Sequence, residues 1–157
     1  MNYWLMKTEP DVFSYDDLVK CKKSTDSWDG IRNYQARNFM RDDFKLGDGV
    51  LIYHSRTETP SIIGIAKVTR EAYPDDTALD SESKYFDPKS DKLGESRWCM
   101  VDVTAVNKFA NPVSLKTCKE QKGLEDMLLI RKGQRLSIQP VKKKEWDIVC
   151  KMGENSN

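Results

Sequence analysis

The sequence lacks the features that identify membrane, secreted and disordered proteins. It contains no apolar run near the ~20 residues of a membrane span. Lys7 and Glu9 interrupt the N-terminus where a signal peptide would be apolar. A net charge of +1 and an aromatic content of 10% argue against intrinsic disorder and against a polybasic membrane binder. We therefore expect a soluble, intracellular protein that binds no membrane.

Metal ligands are scarce in the sequence. There is one histidine, and the four cysteines at positions 21, 99, 118 and 150 form no C-x-x-C pair. A structural zinc site needs closely spaced Cys or His ligands. We expect free thiols in a reducing compartment, and neither a metal nor a cofactor.

Common enzyme motifs are also missing. There is no phosphate-binding G-x-x-x-x-G-K-[ST] and no G-x-S-x-G, and Gly47-Asp48-Gly49 begins a dinucleotide fingerprint without completing it. These absences favour a binding module over an enzyme. An enzyme acting on a nucleotide or modified base, with His54 or Asp102 as general base, is the less favoured alternative.

The 157 residues suit one domain with a single core. Apolar and β-branched runs predict five strands at residues 3–7, 50–53, 62–69, 98–106 and 135–139. Helical patterns are predicted to follow Ser14, Asn33 and Ser114, and to cover residues 124–130 and 142–151. Residues 22–27 and 73–95 are predicted as loops. The mixture predicts an α+β fold, a partly closed barrel in one domain over residues 1–152, with a frayed tail at 153–157.

Charge is distributed unevenly along the chain. Residues 131–151 contain seven basic and two acidic residues, whereas residues 70–95 contain eight acidic and four basic ones. A basic face favours phosphate backbones, although an ordinary solvated helix has the same pattern.

Several polar residues extend apolar faces. Arg32 and Asn33 continue the apolar face of the predicted helix at residues 33–41. Polar groups on such a face need partners, so two interpretations are open. Either both residues line a pocket, or Asn33 caps the helix and Arg32 pairs with an acid. Tyr53-His54-Ser55 places hydrogen-bonding groups at a strand end, although a lone histidine is more often a satisfied core residue.

Two of the four tryptophans fall outside clear core patterns. Trp28 lies in a polar turn, and Trp98 alternates away from the apolar face of Cys99, Val101 and Val103. Such residues stack on flat ligands, or they simply pack.

Six segments together resemble the EVE domain family across nearly the whole chain. They are WLMKTEP (4–10), WDGIRNYQARN (28–38), YHS (53–55), EAYPD (71–75), YFDP (85–88) and RLSIQP (135–140). The resemblance implies a PUA-like barrel related to YTH, ASCH and SRA domains, which bind nucleic acids.

The resemblance also implies a function. We expect a non-catalytic, monomeric module that binds a modified base, a 5-methyl- or 5-hydroxymethylcytosine in DNA, flipped into an aromatic pocket. An RNA-binding module is the alternative. The base pocket is expected to contain Trp28, Arg32, Asn33, Tyr34, Tyr53, His54, Ser55, Trp98, Lys7 and Ser137. Phosphates are expected to bind Arg37, Arg135, Lys142 and Lys143.

The start of the chain gives an expectation about location. A eukaryotic member of the family carries a polar, basic extension ahead of its domain, whereas this sequence begins almost at its first strand. We therefore expect the compact bacterial form in the cytoplasm, and a nuclear location if the source is a eukaryote.

Overall fold

A computed structural model describes residues 1–154. Within them, six strands form one mixed sheet: β1 (Tyr3–Thr8), β2 (Thr25–Ser27), β3 (Gly49–His54), β4 (Ser61–Pro74), β5 (Cys99–Ser114) and β6 (Ile138–Val141). The strand order is β2-β5-β4-β3-β1-β6. Strands β1 and β3 run parallel, and the other neighbouring strands run antiparallel.

Short helices connect the strands. They are α1 (Tyr15–Lys20), α2 (Tyr34–Asn38), α3 (Pro88–Leu93), α4 (Leu115–Glu120) and α5 (Lys143–Glu154). Single 3-10 turns occur at Lys22–Ser24, Asp76–Leu79 and Leu128–Ile130, and a π-helical turn at Phe39–Asp43 follows α2. The predicted N-caps Ser14 and Ser114 accept hydrogen bonds from the third residue of α1 and of α4.

The sheet buries apolar side chains on both faces, as the alternation along β3 predicts. Val50 and Ile52 belong to an inner cluster with Val101 and Val103, which confirms the apolar face predicted for β5. Leu51 and its neighbours on the other face pack against a second cluster under α4 and α5.

The sheet curls until its two edges approach each other. Trp28 directly follows the edge strand β2, and at the opposite edge Leu136 precedes β6 and Ile138 begins it, yet all three residues share the inner cluster. Strands β2 and β6 do not pair in the described part of the chain. The predicted partly closed, mixed barrel is confirmed, with six strands rather than about five.

Two predicted loops contain regular structure. Thr25–Ser27 pairs with β5 as strand β2. Residues 73–95 contain the end of β4, a 3-10 turn and α3, which begins at the N-cap Asp87 and ends at Gly94 in the left-handed region. The predicted helix over residues 124–130 is reduced to the 3-10 turn Leu128–Ile130.

The C-terminal helix is longer than predicted. Helix α5 continues to Glu154, and Gly153 is buried against the ring of Phe109, so residues 153 and 154 are not a frayed tail. The remainder of that predicted tail, residues 155–157, lies outside the described residues. In residues 1–154 no helix combines the length and apolarity needed to cross a membrane, and the four cysteines there are unpaired.

Candidate nucleic-acid interface

A pocket of about 650 Å³ opens where β1 and β3 end. Because these strands are parallel, Lys7 and Thr8 at the end of β1 lie beside Ser55 and Arg56, which follow β3. The Ser55 N–H donates to the Thr8 carbonyl at 2.9 Å. The Lys7 N–H donates to the Ser137 carbonyl at 2.9 Å, which brings the residues before β6 to the same rim.

The turn after β2 forms the opposite wall of the pocket. The Trp28 N–H donates to the Val101 carbonyl at 2.7 Å, which fixes this turn to β5. The Phe13 ring meets Trp28 edge-on, with ring centroids 6.0 Å apart. Gly30 has a φ of +78°, and a Cβ there would lie 2.5 Å from the Tyr85 ring, so this close approach requires glycine. Three aromatic residues therefore line the pocket.

The indole N–H of Trp28 has no hydrogen-bond partner among residues 1–154. The Trp28 residue is only 8% exposed. No buried polar side-chain atom in that part of the chain lacks a partner. Trp28 lines the pocket, and its indole N–H is therefore a donor without a partner in the described part of the chain that is not sealed from solvent.

Charged groups of both signs border the pocket. The lining residues include the basic Lys7, Arg56 and Arg135 and the acidic Glu9 and Asp29. Desolvation lowers the pKa of Lys7, which forms no ion pair among the described residues. Desolvation, followed by the nearby charge of Asp75, raises the pKa of Asp29. Arg56 pairs with Glu9 at 3.2 Å on the exposed rim.

Arg32 supports the pocket wall from behind and does not line the pocket. Its guanidinium donates to Asp75 at 3.0 Å and to the Tyr85 carbonyl at 2.7 Å. Asp75 is fully buried and also accepts from the Gly30 N–H at 2.9 Å. Desolvation raises the pKa of Asp75, but hydrogen bonds from Thr77, Gly30 and Arg32 outweigh it and hold that pKa below its usual value. The ion-pair alternative for Arg32 is therefore the one observed.

Three predicted pocket residues lie away from the pocket around α2. The Asn33 side chain accepts from the Ala36 N–H at 3.0 Å, as the N-cap alternative predicts. Tyr34 and Trp98 stack on each other with centroids 5.0 Å apart. Trp98 is 5% exposed, and its indole N–H donates to Asp87 at 2.8 Å, so it is a core residue.

Tyr53 and His54 also lie outside the pocket. Tyr53 is buried in the second cluster, on the face of β3 opposite the inner one. His54 Nε2 accepts from the Tyr15 N–H at 3.0 Å, and desolvation lowers the pKa of the imidazole. His54 thus has the structural role of a satisfied histidine that caps α1.

The predicted phosphate-binding residues are distributed over three places. Arg135 lines the pocket. Arg37 lies beside the Tyr34 ring. Lys142 and Lys143 lie at the start of α5, where Lys143 pairs with Asp147 at 2.9 Å.

The structure thus brings together four of the ten base-pocket residues expected from the sequence. Lys7, Trp28, Ser55 and Ser137 meet, joined by Arg135. Sequence reasoning missed Phe13, Asp29, Tyr85 and Gln134 as lining residues. Asp29 and Tyr85 lie in two of the six characteristic segments, so those segments were the available signal.

Comparison with known proteins agrees with this architecture. The family model described as "EVE domain" matches residues 2–152. Human "Thymocyte nuclear protein 1" is 39% identical over 170 residues, covering 98% of this chain and 74% of that protein. A crystal structure of a protein from Pseudomonas putida has a TM-score of 0.89 at 45% identity, covering 96% of this chain and 98% of that one.

A solved complex gives the most direct comparison. The crystal structure of human THYN1 protein in complex with 5-methylcytosine-containing DNA has a TM-score of 0.92 at 38% identity, covering 100% of both chains. The ASCH protein from Zymomonas mobilis, at 14% identity and a TM-score of 0.54, shares the fold alone. The predicted PUA-like fold is confirmed.

Proposed function

The chain belongs to the EVE domain family, and from this premise we propose that it is a non-catalytic DNA-binding protein that reads a 5-substituted cytosine. The observation that carries the proposal is the likeness over the full chain to human THYN1 protein solved with 5-methylcytosine-containing DNA. The protein would act where genomic DNA lies, in the cytoplasm of a bacterium or in the nucleus of a eukaryote.

The pocket is proposed to receive the modified base after it leaves the duplex. A stacked base hides its ring faces, so close inspection requires flipping at a cost of a few kcal/mol. A pocket of about 650 Å³ lies in the size range of small-molecule sites. The Tyr85 and Phe13 rings supply aromatic surface, and base–aromatic stacking contributes ~1–3 kcal/mol per base.

The edge of the flipped base requires both donors and acceptors. Cytosine presents an amino donor beside ring-nitrogen and carbonyl acceptors. The Asp29 carboxyl suits the amino group, as acidic side chains do in DNA recognition. The Trp28 indole N–H suits an acceptor of the base. We propose these two groups as the readers of the cytosine edge, in place of Asn33.

The 5-substituent is proposed to lie beside Ser55 and Ser137. One methyl group in an apolar pocket changes affinity by only ~1–3 kcal/mol, so a stronger preference needs a hydrogen bond to the modification. The Ser55 hydroxyl lies 3.5 Å from the Thr8 carbonyl, at the limit of hydrogen bonding, and is free to bond elsewhere. A 5-hydroxymethyl group offers such a bond.

The cations at the rim are proposed to hold the DNA backbone. Phosphate contacts position a protein without reading sequence. Arg135 lines the pocket, and the exposed pair of Arg56 with Glu9 costs little to exchange for a phosphate. The proposed binding affinity therefore has two contributions: phosphate contacts, which weaken as salt is added, and pocket contacts, which persist at high salt.

The test is a fluorescence-anisotropy titration at low and at physiological salt. The panel contains one duplex bearing cytosine, 5-methylcytosine, 5-hydroxymethylcytosine or N6-methyladenine, and RNA counterparts. Tighter binding to one 5-substituted cytosine that survives physiological salt supports the proposal. Equal weak binding to all, lost with salt, overturns it, and tighter binding to RNA establishes the RNA-binding alternative.

A matched pair of variants locates the site. Trp28→Phe removes the indole N–H and keeps an aromatic ring, and we expect it to weaken binding of the preferred duplex about 5- to 30-fold. Trp146→Phe is the control, since Trp146 packs against Tyr3 on the opposite face of the sheet. Equal affinities of the two variants would place the base elsewhere.

A further inference from the structure

A second aromatic surface lies outside the pocket. We call it the Tyr34 platform: the ring of Tyr34, the buried Trp98 ring beneath it, and the guanidinium groups of Arg37 and Arg97. Tyr34 is the first residue of α2 and is 50% exposed, although its ring stacks on Trp98. The platform therefore presents an aromatic side chain to solvent.

One carboxylate holds the base of the platform in place. Asp87 accepts from the Trp98 indole N–H at 2.8 Å, from Arg97 Nε at 2.6 Å and from the Ser90 hydroxyl at 2.8 Å. The hydrogen bond from Arg97, followed by those from Ser90 and Trp98, holds the pKa of Asp87 well below its usual range. Since these partners are fixed before any ligand arrives, binding on the platform costs little ordering of side chains.

The platform also carries the positive charge of Arg37. The Arg37 guanidinium carbon lies 4.8 Å from the Tyr34 ring. Its N–H groups donate to the Asn38 side-chain oxygen and to the Arg97 carbonyl, and within residues 1–154 it pairs with no carboxylate. Arg97, in contrast, is paired with Asp87. An exposed aromatic ring beside an unneutralised guanidinium matches the two parts of a nucleotide, a flat base and a phosphate.

A single side chain connects the platform to the pocket. The Arg32 guanidinium carbon lies 5.6 Å from the ring of Tyr85, which lines the pocket, and 5.5 Å from the ring of Trp98. A ring of the pocket and the ring beneath the platform therefore both lie within 6 Å of the same guanidinium carbon. Surfaces this close suit successive nucleotides of one strand better than nucleotides on opposite strands.

We propose that the Tyr34 platform binds the nucleotide next to the flipped base on the same strand, with its base stacked on Tyr34 and a phosphate on Arg37. This inference rests on the proposed function, in which the pocket holds the flipped base. Flipping removes a stacking partner from each neighbouring base, and an aromatic ring at that position replaces the lost contact.

The experiment combines variants of the platform with abasic sites in the DNA. We compare Tyr34→Ala, Tyr34→Phe, Arg37→Ala and the control Arg41→Ala, whose exposed guanidinium pairs with the adjacent Asp42. The probe is the preferred modified duplex with an abasic residue at the 5′ neighbour, at the 3′ neighbour or opposite the modified base. Thermal unfolding of each variant establishes that it is folded.

We expect Tyr34→Ala to weaken binding about 5- to 150-fold, which corresponds to ~1–3 kcal/mol, and Tyr34→Phe to retain most of the affinity. An abasic residue at one of the two neighbouring positions should weaken binding by the wild-type protein by a similar factor. The same abasic residue should not change the affinity of the Tyr34→Ala variant, which has already lost the contact. Arg37→Ala should reduce the slope of log K against log salt by about 1, and Arg41→Ala should not change it.

The possible results separate this inference from the proposed function. If the wild-type protein does not distinguish modified DNA, both are overturned. If it does, and neither neighbouring abasic site weakens its binding, only the platform is overturned, whatever the variants do. Coupling of Tyr34 to the abasic site opposite the modified base would overturn the same-strand assignment.

Discussion

The ion pair between Arg32 and Asp75 joins two parts of the pocket that are distant in sequence. Arg32 follows the turn after β2, and Asp75 begins the segment that carries Tyr85. The two donors Arg32 Nη1 and the Gly30 N–H meet one carboxylate oxygen, and the Thr77 N–H meets the other at 3.0 Å. In Asp75→Asn, the amide NH₂ must face N–H donors in either orientation. We therefore expect this variant to destabilise the fold and the pocket wall together.

The magnitude follows from the burial of the pair. Removing one partner of a buried ion pair costs ~3–5 kcal/mol. Asp75 is fully buried, but the Arg32 side chain is 23% exposed and reaches water, so we expect a loss of ~2–3 kcal/mol. For a chain of this length that loss lowers Tm by about 4–12 °C. The affinity for modified DNA should fall as well, because Arg32 also holds the Tyr85 carbonyl.

The assay is thermal and urea unfolding followed by tryptophan fluorescence. Asp42→Asn is the matched control, because its pair with Arg41 is half exposed on both sides and exposed pairs contribute little to stability. A loss in Asp75→Asn no greater than the loss in Asp42→Asn would refute the view that the buried pair holds the wall.

Three further predictions follow from single residues. The lowered pKa of His54 means that its neutral form, which accepts from Tyr15, stabilises the fold above pH 6.5, and that this stability is lost as pH falls through the folded-state pKa. His54→Gln should flatten the pH dependence of the unfolding free energy between pH 7 and 5. A variant curve that runs parallel to the wild-type curve would contradict this. Gly30→Ala should cost at least ~1 kcal/mol in urea unfolding and weaken DNA binding, since its Cβ displaces Tyr85; wild-type values would contradict this. Burial raises the pKa of Cys118 to about 11, so iodoacetamide at pH 8 should alkylate it only after unfolding.

The sequence predicts the central strands well because their patterns are local. Val50 to Tyr53 are buried on both faces of the strand, as expected. In Cys99 to Val103 the predicted apolar face is buried, and residues 100 and 102 on the other face are partly exposed. The outer parts of the sheet lack this signal. Strand β2 is three polar residues long, and β4 and β5 extend past their predicted ends through register shifts at Ile62/Gly64, Val68/Arg70 and Arg70/Tyr73. Each bulge reverses the alternation, so a period of two cannot detect the continuation.

Helix α3 is different, because its signals are present in the sequence. Asp87 precedes Pro88, and Gly94 follows the last helical residue, which is the usual order of N-cap, first helical residue and C-terminal glycine. The prolines of residues 73–95 led to the prediction of a loop, but the position of Pro88 directly after an N-cap residue indicates the start of a helix.

The site residues likewise differ in whether their positions depend on local patterns or on contacts between distant segments. Lys7, Ser55 and Ser137 meet because they end or precede neighbouring strands, which strand order alone implies. The position of Trp98 depends on Asp87, eleven residues away, whose segment folds back over the indole. No periodicity within β5 contains that information, so its alternation placed Trp98 outside the core.

The pocket exists because the barrel does not close. Trp28 from one edge and Leu136 from the other complete the inner core, so the edges approach at that level. One step further, at Asp29 and Gln134, the chain leaves the sheet on both sides, and the space between them is the pocket. A seventh strand pairing β2 with β6 would satisfy both edges and fill that space. The unpaired edges are thus the structural condition for a cavity that opens directly onto the rim, which is what the proposed entry of a base from a bound strand requires.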